Sequence, residues 1–230
     1  GTVTGVQTCA LPISRANSTN VRTSGAVVDN GDGTFTFTSP DIIPDGSLLP
    51  NNFTASGTGT IGMEGHPAAD FDGDGEFSDR VPVNSEVAYF GITDNPVKPR
   101  RLVVDVPTKC DRCHDILSLH GSNRNSNGQL CVMCHNPKNT DVGRRGGVVG
   151  IDGKLEEAID FKRLIHGIHA AAQTNFDGTI AHGFREKGIV IYGFGGGPND
   201  YSHIRFPGEL SRCTTCHLED TYTLADRSAE

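Results

Sequence analysis

Short runs of alternating hydrophobic and polar residues occupy the chain from Val21 to about Val106. GAVVDNGDGTFTFTS contains two such runs around an Asn-Gly-Asp-Gly turn, and FTASGTGTIGM, SEVAYFGI and RLVVDVP are further candidate strands bounded by Gly, Pro or Asn. Short strands separated by frequent turn signals are typical of a small β-sandwich or barrel. We therefore predict a β domain over residues 15–106.

The hydrophobic pattern changes after residue 106, and helical spacing is clearest in KLEEAIDFKRLIHGIHAA, residues 154–171. Its apolar residues recur at helical spacing: Leu155, Ala158, Ile159, Leu164, Ile165 and Ile168. Glu156 and Glu157 would occupy the first turn, where the helix dipole favours acidic side chains. The glycine-rich IYGFGGGPND predicts a loop, so we expect residues 107–230 to form a second, loop-rich and partly helical domain.

Composition and charge narrow the class of protein. The 230 residues suffice for one or two domains with hydrophobic cores, and 29 Gly, 12 Pro and no Trp indicate much turn and loop. The formal net charge of -8, with no run of Lys or Arg, argues against a nucleic-acid partner. No apolar run reaches the length of a membrane span.

The first residues are a separate case, because VTGVQTCALPI (Val3 to Ile13) resembles the translation of a sequencing-library adapter. We expect residues 1–14 to be a non-native segment. On this interpretation Cys9 is not a natural cysteine, and the other six cysteines all lie in CxxCH motifs. The alternative is an ordinary loop that contains one free cysteine.

CxxCH motifs carry the clearest chemistry in the chain. They are Cys110, Cys113 and His114; Cys131, Cys134 and His135; and Cys213, Cys216 and His217. In this signature of c-type haem attachment, two thiols add to the haem vinyl groups and the following histidine ligates the iron. We therefore predict three covalently bound haem c groups.

Zinc is the main alternative for the cysteines. Seventeen residues separate Cys113 from Cys131, a spacing within the range of a zinc-binding CxxC…CxxC module. A closed site of Cys110, Cys113, Cys131 and Cys134 would leave the third cysteine pair without partners. It would also make the histidine after each cysteine pair a coincidence, which is improbable in a chain with 9 histidines among 230 residues. Disulfides explain the histidines no better.

The second axial ligand of each iron decides between electron transfer and catalysis. Methionine is a poor candidate, since only Met63 and Met133 are present and Met133 lies inside an attachment motif. Six histidines outside the motifs suffice to give each iron a second imidazole. Bis-histidine ligation closes both axial positions, so a substrate could not reach the iron.

Sequence context ranks these histidines as ligands. His166 and His169 are three positions apart on the predicted helix, beside Ile165 and Ile168, which would direct both toward buried surface. His120 follows the first motif closely and would reach a neighbouring haem more easily than its own. The weaker candidates lie in loop-like sequence or before a proline: His66, His182 and His203.

A calcium-like pattern occurs in DFDGDGEFSD. Asp70, Asp72 and Asp74 occupy positions 1, 3 and 5 of a DxDxDG loop, and Gly75 supplies the turn at position 6. Position 12 is Val81 instead of the bidentate glutamate, which excludes an EF-hand proper. Two interpretations stay open, a weaker Ca²⁺ site and a solvated acidic turn.

The order of three segments resembles one family. CDRCHDILSLHGSNRNSNGQLCVMCHNPKNTD, DFKRLIHGIHA and NDYSHIRFPGELSRCTTCH are similar to the OmcA/MtrC family of outer-surface decahaem cytochromes of metal-reducing bacteria, over about residues 105–223. The resemblance implies a Greek-key barrel before the haem domain. It makes His114, His135 and His217 proximal ligands, and His120, His166 and His169 distal ligands.

The same resemblance implies a function and a location. Family members pass electrons from a periplasmic donor through an outer-membrane porin–cytochrome complex to extracellular Fe(III), Mn(IV) minerals or flavins. We therefore expect an exported protein, at the outer-membrane surface or in the periplasm, that works with other multihaem cytochromes in dissimilatory metal reduction. A family haem domain carries five attachment motifs and this chain carries three, so we expect a fragment of a longer protein.

The fold class that we predict is α+β and multidomain: a small β-sandwich or Greek-key barrel, then a loop-rich, partly helical multihaem c-type cytochrome domain. Electron relay needs no catalytic residue, and at most the protein would be a terminal metal reductase. Two further functions stay open. One is a multihaem reductase of a small oxidant such as nitrite or tetrathionate, with one open haem site, and the other is a subunit that stacks haems into a conductive filament.

Overall fold

A computed structural model describes residues 3–9, 17–19, 27–38, 43–46, 54–174, 180–181 and 189–223. These residues divide into two compact units. The first unit is drawn from Gly1–Met133 and Cys216–Glu230, and the second from Cys134–Thr215. The chain therefore passes from one unit to the other inside the second CxxCH motif and returns inside the third.

Short strands and short helices make up the regular structure of the described residues. The strands are β1 Val3–Cys9, β2 Asn17–Thr19, β3 Val27–Asp29, β4 Phe35–Phe37, β5 Thr58–Gly65, β6 Ala68–Ala69, β7 Asp79–Arg80, β8 Glu86–Gly91, β9 Ser118–Leu119, β10 Arg124–Asn125, β11 Gln173–Thr174, β12 Ile180–Ala181, β13 Val190–Tyr192 and β14 Pro198–Asp200. The helices are α1 Val106–Lys109, α2 Asp111–His114, α3 Gly128–Cys134, α4 Val142–Arg145 and α5 Phe161–His169, with a 3-10 helix at Cys213–Thr215. This mixture agrees with the predicted α+β class, whereas the N-terminal barrel stays a prediction.

A four-stranded antiparallel sheet belongs to the β part of the first unit, with strands in the order β2-β1-β5-β8. The pairing of β5 with β8 runs from Thr58 opposite Gly91 to Met63 opposite Glu86. These two strands confirm the predictions for FTASGTGTIGM and SEVAYFGI. The hairpin of β3 and β4 confirms the two strands predicted in GAVVDNGDGTFTFTS.

β1 belongs to the segment whose sequence resembles an adapter, and its backbone pairs with β5 on one side and β2 on the other. The non-native origin of residues 1–14 concerns how the sequence arose, and it stays a prediction. The proposed domain limits, 15–106 and 107–230, also stay predictions.

Hydrophobic packing in both units relies on few large side chains. Val106 and Leu130 are buried in the first unit, and Ile189 and Val190 in the second. Gly62 of β5 lies so close to α3 that a Cβ atom at this position would overlap the Leu130 side chain. Glycine at this position therefore allows the sheet to pack directly on the helix that carries the second CxxCH motif.

The strand predicted in RLVVDVP is wrong. The carbonyl oxygen of Val103 accepts hydrogen bonds from the Leu218 N–H and the Thr221 hydroxyl, at 3.0 Å each, instead of bonding to a neighbouring strand. Pro107 then lies in the first turn of α1, where proline is well tolerated because those N–H groups need no helical partner. The local sequence favours a strand, but the hydrogen bonds from Leu218 and Thr221 occupy the carbonyl group that a neighbouring strand would use.

The helix predicted over residues 154–171 is shorter than expected, because α5 begins at Phe161. The Asp160 carboxylate caps it by accepting a hydrogen bond from the Arg163 N–H at 3.3 Å. Upstream, Glu157 donates its backbone N–H to the Asp141 carboxylate, at 2.7 Å. This long-range bond holds Glu157 out of the helix, so Glu156 and Glu157 both precede the helix instead of forming its first turn.

A buried cluster of charges organises the second unit. The side chain of Arg145 is 0% exposed and forms hydrogen bonds with Asp141 at 2.9 Å and with Asp152 at 2.7 and 3.1 Å. It also donates to the Val190 carbonyl at 3.0 Å, and its guanidinium carbon lies 4.6 Å from the centre of the Tyr192 ring. The cluster joins the segment after the second motif to β13, and the sequence patterns did not predict it.

Candidate functional site

The first CxxCH motif forms a helical turn. Cys110 has helical backbone angles and links α1 to α2, and its carbonyl oxygen accepts hydrogen bonds from the N–H groups of Cys113 and His114, both at 3.0 Å. Residues three and four positions apart lie on the same side of a helix. The local structure therefore presents both thiols and the imidazole on one side, as covalent haem attachment requires.

The second motif lies on α3. The Asn127 side chain caps this helix by accepting hydrogen bonds from the N–H groups of Gln129 and Leu130, at 3.0 and 3.2 Å. Cys131 and Cys134 are then one turn apart on the same side of the helix. The capped helix and its packing on β5 hold this pair of thiols in place.

The third motif begins with the 3-10 helix Cys213–Thr215, in which the Thr215 N–H donates to the Arg212 carbonyl at 3.0 Å. Its histidine, His217, lies 6.1 Å from Tyr222 between ring centres, with the rings tilted by 59°. A tight helical turn therefore recurs at all three motifs. This shared geometry is what the fixed spacing of CxxCH encodes.

Three of the candidate ligand histidines share one hydrogen-bond pattern. In His135, His166 and His169 the ring atom Nδ1 lies within hydrogen-bond distance of a backbone carbonyl oxygen. These oxygens belong to Ile159 at 2.8 Å, Lys162 at 2.7 Å and Ile165 at 2.9 Å, respectively. Because a carbonyl only accepts, Nδ1 carries the proton and the lone pair is on Nε2. Metal-bound histidines typically show this arrangement, which sets the tautomer and the ring orientation.

Tertiary pairing places the carbonyl that orients His135. The Ile159 N–H donates to the Asn139 carbonyl at 3.0 Å, and Thr140 and Ala158 form an antiparallel bridge beside it. Backbone hydrogen bonds thereby connect the segment after the second motif to the segment before α5. Sequence analysis missed this positioning, since nothing in the local pattern around Ile159 indicates it.

The two histidines of α5 differ in burial. His169 is half-buried, and its ring lies edge-on to Phe206, with the ring centres 5.9 Å apart. His166 is exposed, so the prediction that both face buried surface is wrong for this residue. The physical reason is that Gly167 and the half-buried residues beside it form the buried face of α5. The His166 side chain lies outside that face and is exposed to solvent.

His120 occupies the tip of the hairpin formed by β9 and β10, with a left-handed backbone at φ 54°. Among the weaker candidates, His203 is exposed, and His66 is half-buried with Nδ1 3.3 Å from the Pro67 carbonyl. His182 lies outside the described residues.

Thiols from all three motifs influence one another within the first unit. Burial, followed by the nearby groups of Cys216, Asp111 and Cys131, raises the pKa of the Cys110 thiol to about 11. Cys110, Cys131 and Cys216 come from different motifs, so the fold brings these three within electrostatic range. Groups attached at these cysteines would therefore lie near one another.

The acidic loop between β6 and β7 brings Asp70, Asp72 and Asp74 together, with one carboxylate oxygen of each within 4.8 Å of the others. Burial disfavours ionisation of Asp70, but hydrogen bonds from the N–H groups of Gly75 and Gly73, at 3.0 and 2.7 Å, outweigh it and hold its pKa below the ordinary value.

The zinc alternative depends on cysteines that converge on one point. Within the described part of the chain, no cysteine belongs to a group of three or more His, Cys, Asp or Glu side chains that could hold one metal ion. The closed zinc site therefore finds no support.

The donor set of the three motifs fits haem c. Each motif supplies two thiols and one imidazole at a fixed spacing, and the six cysteines of the motifs are not joined in disulfides. A family model described as "Outer membrane cytochrome MtrC/MtrF-like, domains II/IV" matches residues 101–229, more than half of the chain.

The chain belongs to this family. MtrC/MtrF-like proteins are outer-membrane multihaem cytochromes that bind haem c and transport electrons, which confirms the resemblance, the cofactor class and the predicted location. Neither a curated protein nor a solved structure matches the chain. No helix within the described ranges is both long enough and apolar enough to span a bilayer.

Proposed function

We propose that this MtrC/MtrF-like chain relays electrons through three haem c groups, each with two histidine ligands. The observation that carries the proposal is the shared contact of His135, His166 and His169, whose Nδ1 atoms all lie within hydrogen-bond distance of backbone carbonyl oxygens. This arrangement leaves the Nε2 lone pair as the one that can ligate iron. It occurs in one proposed proximal ligand and two proposed distal ligands.

The residues have distinct roles in this proposal. The cysteines of the three motifs anchor the haems through thioether bonds: Cys110, Cys113, Cys131, Cys134, Cys213 and Cys216. The proximal ligands are His114, His135 and His217, and the distal ligands are His120, His166 and His169. Bound haem supplies a one-electron couple, while the protein orients the imidazoles and keeps exogenous ligands away from the iron.

The proposed acceptors lie outside the cell: metal oxides, Fe(III) or flavins. Family membership supports this proposal because it locates the protein at the outer membrane. The proposed partners are other multihaem cytochromes or an outer-membrane porin–cytochrome complex that delivers the electrons. Haem held by two of these histidines would exchange electrons without binding the acceptor at iron, so the acceptor would need no binding site there.

Calcium binding at Asp70, Asp72 and Asp74 is a separate and weaker proposal. The three carboxylates converge as the DxDxDG pattern predicts. A bound Ca²⁺ would stabilise the hairpin of β6 and β7, which ends at Arg80.

The test is to express the chain with export and a c-type haem maturation system, then to measure intact mass and the absorption of the oxidised and reduced protein. We expect three covalent haems, all low-spin and six-coordinate. A variant with Cys213→Ala and Cys216→Ala should lose one haem and retain two, which serves as the matched control. Haem-free protein with bound zinc would overturn the proposal, and one high-spin haem would indicate the reductase instead.

A further inference from the structure

The turn that carries His120 has an unusual backbone. His120, Gly121 and Ser122 follow one another at φ 54°, 70° and 65°. Residues with a Cβ atom rarely adopt this left-handed conformation, since the Cβ atom approaches the following carbonyl oxygen too closely. The turn is therefore strained at two residues that carry a Cβ atom, His120 and Ser122. Such turns persist only where the surrounding structure holds them, and they concentrate at functional sites.

Hydrogen bonds hold every carbonyl oxygen of the turn, from residue 120 to residue 123. The donors are Asn123 Nδ2 to the His120 oxygen at 3.0 Å, Arg80 Nη1 to the Gly121 oxygen at 2.9 Å, Asn125 Nδ2 to the Ser122 oxygen at 2.9 Å, and the Gly65 N–H to the Asn123 oxygen at 2.8 Å. The two asparagines belong to the hairpin itself. Arg80 and Gly65 come from the β part of the first unit, so the turn is anchored from outside as well as from within.

Arg80 is the charged anchor of this turn. It ends β7 and reaches Gly121 across 41 positions of sequence. Its Nη1 atom lies 2.5 Å from the point that a Cβ atom on Gly121 would occupy, so the guanidinium group rests directly on the turn. A hydrogen bond from a charged donor is roughly twice as strong as one between neutral groups. Loss of this bond should loosen the peptide between Gly121 and Ser122, and with it the turn that carries His120.

A second contact supports the same hairpin without touching the turn. The guanidinium group of Arg124 forms a two-pronged ion pair with the Glu64 carboxylate, one bond of which measures 3.0 Å. Glu64 lies in β5 and Arg124 begins β10, so the strand that follows the turn is attached to the sheet. Arg80 therefore acts at the tip of the hairpin, where the histidine lies, and its effect can be separated from general attachment of the hairpin.

We propose that Arg80 is a positioning residue for His120: its bond to the Gly121 carbonyl holds the left-handed turn and so keeps the imidazole on its iron. The inference rests on the proposed function, in which His120 is an axial ligand. The β part of the first unit thereby controls how readily one haem opens its distal position. Arg80 does not touch the haem, so its effect must appear through the histidine.

Carbon monoxide binding to the fully reduced protein tests this role. CO can bind a bis-histidine haem only after one imidazole leaves, so the binding rate reports how often the ligand is released. His120→Ala should open one haem fully and identify it by its spectrum. Arg80→Met should then speed CO binding at that same haem about tenfold, a factor that corresponds to about 1.4 kcal/mol, with the number of haems per chain unchanged.

Matched variants separate the bond from the charge. Arg101→Met removes one positive charge from another exposed arginine of the same unit and should leave the CO rate as in the parent protein. Arg80→Lys keeps the charge and one donor and should restore most of the slow rate. Asn123→Ala removes the donor to the His120 carbonyl and should also speed CO binding. This variant replaces Arg80→Met in the test if Arg80→Met yields no folded protein.

The outcomes distinguish this inference from the proposed function. If His120→Ala opens a haem but neither Arg80→Met nor Asn123→Ala changes its CO rate, the positioning role is wrong and the relay stands. If His120→Ala opens no haem, His120 is not a ligand and the inference falls, while haem attachment at the motifs is judged separately from the mass. Protein that carries no haem would overturn the proposed function itself.

Discussion

Arg145→Met would remove the positive charge at the centre of the second unit while keeping a side chain of similar length. The guanidinium group is fully buried and donates to Asp141, to both carboxylate oxygens of Asp152, and to the carbonyl oxygens of Lys154 and Val190. The substitution would leave two buried carboxylates without their cation. Breaking a buried ion pair in this way costs about 3–5 kcal/mol, and we expect the second unit to lose stability by that amount.

Urea unfolding at pH 7, followed by far-ultraviolet circular dichroism, measures this loss. Arg144→Met is the matched control, because the neighbouring arginine is exposed and its guanidinium carbon lies 5.7 Å from the ring centre of the exposed Phe194. Such an exposed cation–π contact contributes about 0.5–1 kcal/mol. The reasoning is refuted if Arg145→Met costs no more than Arg144→Met.

The pH dependence of the same variant gives a second check. Burial disfavours ionisation of Asp141 and Asp152, but the hydrogen bonds from Arg145 outweigh it and hold the pKa of each carboxyl below its ordinary value. In the parent protein this stabilisation is therefore present above the ordinary aspartate pKa and is lost as the pH falls through the lowered pKa. Without Arg145, burial raises both pKa values, so acid neutralises the unpaired carboxylates. The stability difference between parent and variant should narrow from pH 7 to pH 4, and a constant difference would contradict the assignment.

Three further predictions test the ligands, the strained turn and the acidic loop. His166→Met or His169→Met should shift the potential of one haem upward, because a methionine ligand raises the potential relative to imidazole. Redox titration measures this shift, with the exposed His203→Met as the control that should change nothing, and an unaltered titration of both helix variants would reject these ligands. Ser122→Gly should stabilise the first unit by about 0.5–1 kcal/mol, since glycine adopts a positive φ without the Cβ cost; a loss of stability in urea unfolding would argue against strain at this position. Asp72→Asn should weaken Ca²⁺ binding in calorimetric titration, and the absence of any heat with the parent protein would remove the calcium proposal.

Residue spacing alone was enough to predict the chemistry of the CxxCH motifs. The spacing between two cysteines and a following histidine describes a single helical turn, whose hydrogen bonds connect near neighbours, as the two bonds to the Cys110 carbonyl show. Local turn signals likewise predicted the hairpin of β3 and β4. These features depend on a few consecutive residues, so no knowledge of the rest of the chain was needed.

Element boundaries were harder to predict where distant residues compete for the same backbone groups. The apolar pattern extended the helix back to residue 154, but the N–H group of Glu157 bonds to Asp141 and the helix begins only after Asp160. RLVVDVP had the composition of a strand. The carbonyl oxygen of Val103 in this segment instead accepts hydrogen bonds from Leu218 and Thr221, so it does not bond to a neighbouring strand. In both cases the deciding partner is remote in sequence.

The sequence by itself therefore determined which residues are candidates to anchor and ligate haem, namely the three CxxCH motifs and a surplus of histidines. Only the tertiary structure decided how those ligands are oriented: the Ile159 carbonyl at His135, the bond from Arg80 beside His120, and the grouping of Cys110 with thiols of the other two motifs. The physical reason is the range of the interactions. Covalent spacing and helical hydrogen bonds act over three or four residues, whereas the Arg80 bond spans 41 positions and forms only once β7 lies beside the turn between β9 and β10.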